Sequence, residues 1–175
     1  MKRRKHIFLI MLPLMLMAAD DVRPYLSTGP WYPSDPARLR QMLDSFFSAL
    51  PAAETSPRVR AIIAPHAGFE YSGRCAARAY RALTAGQGIR RVILMGSSHR
   101  SGFYGACVDD HGAWSTPLGT VAVDTQACRE LARKRLFKVD RGAMRLEHSL
   151  ENQPPSCSGL CPPALTASCP SSSAR

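Results

Sequence analysis

Between Leu39 and Leu50 the apolar residues Leu39, Met42, Leu43, Phe46, Phe47 and Leu50 recur at helical spacing and form one face. Pro36 suits the first turn of that helix, because its missing N–H costs nothing there. Ser34 or Asp35 can cap it, and Pro51 ends it. Two continuous apolar runs have a different character. Residues 58–65 (Arg-Val-Arg-Ala-Ile-Ile-Ala-Pro) and 91–96 (Arg-Val-Ile-Leu-Met-Gly) read as buried strands, and each is followed closely by a histidine. Between them a helix is predicted from about Arg74 to Leu83, packing through Ala76, Ala77 and Tyr80 and ending near Gly86 and Gly88. Strand, helix, strand in this order is a βαβ unit with parallel strands. Further on, 105–109 and 120–123 read as strands separated by a turn-rich loop over 114–119. Asp124 or Thr125 caps a helix to about Arg135, 137–139 is extended, and 141–151 is irregular or helical. The fold class is α/β, a parallel or mixed sheet flanked by helices.

The two ends depart from this pattern. Lys2, Arg3, Arg4 and Lys5 precede an apolar run from Ile7 to Ala19, the n-region and h-region of a secretory signal. Residues 1–19 are therefore expected to be a signal peptide or N-terminal anchor, giving export or membrane attachment through that segment alone. The competing reading is a misassigned start codon and a cytoplasmic protein. From Pro154 to Arg175 the chain is rich in Ser, Pro and Cys, has no hydrophobic period, and is expected to be disordered. Its bias resembles translation of a GC-rich gene in the wrong frame; a genuine low-complexity tail is the alternative. The domain proper then spans 22–153.

Composition changes the picture only slightly. Apolar residues make up 45% of the 175, which is ordinary for one globular domain. Of the 23 basic residues four lie in the N-terminal segment, leaving 19 against 13 acidic ones. They are scattered and not interleaved with aromatics, so no nucleic-acid groove is expected. Cys75 and Cys128 fall on predicted helices and read as small buried residues, Cys107 is isolated, and Cys157, Cys161 and Cys169 sit in the tail.

The candidate chemistry lies where the strands end. His66 and His99 each follow the C-terminal end of a predicted parallel strand, where open α/β sheets bind ligands. Two imidazoles there supply two-thirds of a facial metal site; the bland reading is a pair of hydrogen-bonded structural histidines. Glu147-His148-Ser149-Leu150-Glu151 offers a histidine flanked by carboxylates, either a proton shuttle or a solvated turn. His111 has no evident partner. Gly68 and Gly73 bracket Phe69–Ser72, read as a loop before a helix.

The string Ala64-Pro65-His66-Ala67-Gly68-Phe69-Glu70-Tyr71-Ser72-Gly73 resembles the signature of the Memo family, often called AmmeMemoRadiSam system protein B in bacteria. Trp31-Tyr32-Pro33, Gly96-Ser97-Ser98-His99, Ser115–Gly119 and Glu147–Glu151 agree in the same order. The resemblance implies a fold similar to class III extradiol dioxygenases, here incomplete, with His66 and His99 as ligands of a non-heme Fe(II). It implies that His148 lines the same pocket, at greater distance, as a catalytic acid or base. It also implies a longer chain with a third ligand that has no counterpart here. Two functions are compatible with it: a non-heme-iron oxidoreductase, or a non-catalytic module binding a small molecule or peptide. A non-functional fragment is the third reading.

Overall fold

The computed structural model describes residues 21–26, 29–51, 59–83, 89, 91–145 and 147–156. The expected signal at 1–19 and the tail beyond Ser156 lie outside the described residues. Helix α1 spans Pro36–Ser48, as its apolar spacing predicts, with the Asp35 carboxylate accepting from the Arg38 N–H at 2.7 Å. Leu39, Leu43 and Phe46 are buried, and Met42, Phe47 and Leu50 pack at the margin of the same cluster.

Helix α2 covers Phe69–Arg81 and begins well before the expected Arg74. The stretch 69–72, read as a loop, is its first turn. The Gly68 carbonyl accepts from the Tyr71 and Ser72 N–H groups at 2.9 and 3.0 Å, and Phe69 is buried beside Tyr32. Gly73 consequently sits inside the helix, and its role is steric. A Cβ there would overlap the ring of Phe46 on α1. Gly73→Ala is therefore expected to destabilise by about 1–3 kcal/mol through overpacking, although alanine favours a helix by roughly 1 kcal/mol. Urea denaturation measures this, and a stabilised variant would show that the two helices have room to spare.

The strands form two small sheets. β1 (Val22–Arg23) runs parallel to β3 (Ala113–Thr116), which pairs antiparallel with β4 (Gly119–Ala122). β2 (Ala106–Val108) pairs parallel with β5 (Phe137–Val139). The architecture is α/β with mixed pairing. The expected loop over 114–119 is a correction: most of it is β3 and a tight turn. Thr116 makes that turn, its hydroxyl accepting from the Leu118 N–H at 3.1 Å and donating to the Gly119 carbonyl at 2.9 Å. Gly119 takes a φ of 128°, open to glycine alone at little cost. Helix α3 (Thr125–Ala132) is capped by Asp124, whose carboxylate accepts from the Ala127 N–H at 2.9 Å. Cys107, Val108, Trp114, Val123, Cys128, Met144 and Leu150 form the second core. Cys75, expected to be buried, is exposed.

The βαβ unit is the main departure. Residues 59–66 and 91–98 carry no ladder, and Ile63, Ile93 and Met95 are 97%, 65% and 60% exposed. An apolar run has strand composition, but a ladder also needs a neighbouring edge and a covered face. Among the described residues neither segment pairs with a strand.

Two short helices, α4 (Arg141–Arg145) and α5 (His148–Glu151), close the fold. The chain stays packed beyond the expected boundary at Pro154: residues 154–156 have helical backbone and are buried, with the Ser156 N–H donating to the Gln153 carbonyl at 3.0 Å. No helix among the described residues is long and apolar enough to cross a membrane.

Candidate metal centre

Three segments far apart in the chain meet above the N-terminus of α2. His66 ends the unpaired stretch 59–66, His99 follows the unpaired stretch 91–98, and His148 opens α5. Ring centroids lie 5.1 Å apart for His66 and His99, 5.6 Å for His66 and His148, and 4.4 Å for His99 and His148. One nitrogen from each ring falls within 4.8 Å of the other two. The histidines therefore converge, as the strand-end argument anticipates for His66 and His99, but they do so at the ends of unpaired segments, not along a sheet edge. His148 corrects the expectation of a greater distance. It is no farther from His99 than His66 is, and its ring offers a third nitrogen to the same cluster.

The neighbourhood is built by α5 and the residue that caps it. Asn152 donates to the His66 carbonyl at 2.8 Å, and the Ser149 hydroxyl donates to the Ser97 carbonyl at 3.2 Å. A Cβ at Gly96 would overlap the Ser149 hydroxyl, so only glycine lets the 91–98 segment approach α5 this closely. Glu147 accepts from the His99 backbone N–H at 2.6 Å and stands 3.0 Å from His99 Nδ1. It also accepts from the Ser149 N–H at 2.8 Å, which caps α5. Trp31 stacks on His148, with centroids 3.9 Å apart and planes inclined by 20°. The Trp31 carbonyl accepts from the Phe69 N–H at 2.7 Å, and a Cβ at Gly68 would come within 2.6 Å of the Pro30 carbonyl oxygen. That packing fixes the loop carrying Trp31 against the α2 N-terminus.

Charge follows from burial and donors. Burial alone would raise the Glu147 carboxyl, but the hydrogen bonds from His99 and Ser149 outweigh it and hold the pKa at about 2. Burial lowers the pKa of His148, against the opposing pull of Glu147, which favours the neutral imidazole. Neutral imidazole is the form that ligates a metal.

Seating of α5 depends on a second, dry network. Glu151 and Arg23 are each 2% exposed, with Arg23 Nη1 2.9 Å from Glu151 Oε2. Glu151 also accepts from the Leu26 N–H at 2.6 Å and the Tyr32 hydroxyl at 3.2 Å, while Arg23 donates to the Met144 carbonyl at 2.9 Å. Burial and the neighbouring Glu151 push the Tyr32 hydroxyl far above the ordinary phenol range. Sequence reasoning missed Trp31, Asn152 and these buried partners as parts of one assembly. The signal available was their place inside the short motifs around Trp31 and Glu147.

The donor set fits a first-row divalent ion, since imidazole suits Zn, Cu, Fe and Ni alike. Two nitrogens on one ion, each at ~2.1 Å, stand roughly 3.0–3.4 Å apart at octahedral or tetrahedral angles. Nitrogens within 4.8 Å of one another could share an ion if the rings drew in toward that spacing.

Comparison with known proteins gives the family. A family model described as Memo-like protein matches residues 23–161. MTH_45, a MEMO1 family protein of Methanothermobacter thermautotrophicus, is 35% identical over 130 residues, covering 70% of this chain and 47% of that protein. The MEMO1 family proteins PF1638 of Pyrococcus furiosus and MHO1 of Saccharomyces cerevisiae are 35% and 33% identical. Each covers 77% of this chain, against 46% and 43% of their own lengths. The chain thus spans about half the length of the curated relatives it matches. On these matches the chain belongs to the Memo-like protein family.

Proposed function

We propose that His66, His99 and His148 hold a non-heme Fe(II), in a site similar to that of class III extradiol dioxygenases, and that the whole protein is an oxidoreductase. The observation that supports this most directly is the convergence of three imidazole nitrogens within 4.8 Å. When bound, a ferrous ion with open positions supplies redox and Lewis-acid chemistry toward oxygen or a small-molecule substrate. The residues of this chain hold and orient it. His148, expected from sequence to be an acid or base, is read as the third ligand, because its burial favours the neutral ring. His99, with 35% of its side chain exposed, leaves one side of the cluster open to solvent and so to a substrate.

Anaerobic loading with Fe(II), gel filtration and metal analysis test the reading. The chain is expected to retain stoichiometric iron, and His66→Ala, His99→Ala and His148→Ala are each expected to retain much less. If the chain and a triple variant hold equal iron, the iron reading is wrong and a metal-free module binding a small molecule or peptide takes its place.

A further inference from the structure

Glu147 is 4% exposed, and its carboxylate faces two of the three imidazoles from behind. Oε1 lies 3.0 Å from His99 Nδ1 and 3.8 Å from His148 Nδ1, the first a hydrogen bond and the second a close electrostatic contact. Oε2 accepts from the His99 backbone N–H at 2.6 Å, so the same carboxylate fixes both the backbone and the ring of His99. Oε1 accepts in addition from the Ser149 N–H at 2.8 Å. Three donors thus converge on a group that, once ionised, can only accept.

From this arrangement we infer that Glu147 is a positioning residue of the metal site: it holds the His99 proton on Nδ1 and so presents the Nε2 lone pair to the metal. The inference rests on reading the histidine cluster as a metal site, but its central claim concerns a proton and can be tested without any metal. An outer carboxylate of this kind fixes tautomer and ring orientation, and its loss typically weakens metal binding roughly 10–100-fold. Glutamine is nearly isosteric and discriminates sharply. Its single oxygen can accept from the His99 backbone N–H only by turning its NH₂ toward Nδ1, where the amide donates and drives the ring proton to Nε2. In the other orientation the NH₂ opposes the His99 backbone N–H. Either way the clamp fails. Glu147→Asp keeps an acceptor-only group and is expected to keep the Nδ1–H form.

Two measurements decide the matter. The first is the ¹⁵N shift pattern of His99 in the metal-free chain at neutral pH, which reports which ring nitrogen is protonated. The native chain and Glu147→Asp are expected to show Nδ1–H, and Glu147→Gln to move toward Nε2–H. A native chain with its His99 proton on Nε2 overturns the inference, whether or not any variant folds. The second is Zn(II) affinity by chelator competition, with thermal melting as the folding control. Glu147→Gln is expected to bind roughly 10–100-fold more weakly than the native chain, with Glu147→Asp between them. Equal Zn(II) affinity in native and Gln chains that melt alike overturns the inference. A native chain that shows Nδ1–H yet binds no Zn(II) refutes the metal reading while leaving the tautomer assignment standing.

Discussion

Glu151→Ala is expected to lower folding stability by about 3–5 kcal/mol, the usual cost of removing one partner of a buried ion pair. The carboxylate and Arg23 are both excluded from water, and removing the acid leaves a guanidinium in the core without its counter-charge. The Leu26 N–H and Tyr32 hydroxyl lose their acceptor as well. Total stabilities of small proteins run about 5–15 kcal/mol, so much of the chain should unfold in mild denaturant. Replacing both partners, as Arg23→Met with Glu151→Leu, is expected to recover most of the loss, because no charge is then stranded. Urea titration of the three variants measures this. A loss below about 1 kcal/mol, the worth of an exposed pair, would mean that water reaches the network.

Asp109→Ala is expected to cost about 2–5 kcal/mol by the same measurement. Asp109 is fully buried and accepts from Trp114 Nε1 at 2.5 Å and from the His111 N–H at 3.2 Å, with His111 Nδ1 at 2.5 Å. Each buried donor left without an acceptor costs about 1–3 kcal/mol. Asp109→Asn is expected to lose less than alanine, since its one oxygen still serves Trp114, although its amide then opposes the His111 backbone N–H. Equal losses for Asn and Ala would assign the effect to charge instead of to the acceptor.

These two sites mark the limit of what could be read from sequence. Local rules worked where the signal is local. The Asp35-Pro36 cap and the Leu39–Leu50 stripe define α1, and Asp124 caps α3 as its residue type suggests. Misreadings arose where a neighbour distant in sequence decides. Gly73 looked like a loop residue because its reason for being glycine is Phe46 on another helix. His111 showed no partner although Asp109 lies two residues away, since an Asp-x-His spacing is common and only burial gives it meaning. The runs before His66 and His99 had the composition of strands, but pairing belongs to two segments at once and cannot be read from one. The convergence of the two histidines was anticipated from position and from the motifs around them. The closeness of His148 to both was not, because it depends on how Glu147, Ser149 and Asn152 fasten α5 to both loops.

That fastening sets a time at which the site can exist. The bonds joining α5 and its flanks to the two loops span 86 residues to His66, 52 to Ser97 and 48 to His99. Contacts of such sequence separation form late, after loop closure has already been achieved. On a ribosome adding roughly 5–20 residues per second, the stretch between His99 and His148 takes roughly 3–10 seconds to emerge. Throughout that interval the nascent chain displays His66 and His99 without the residues that bring them together. The three imidazoles can therefore converge only once the stretch carrying His148, Ser149 and Asn152 has been synthesised.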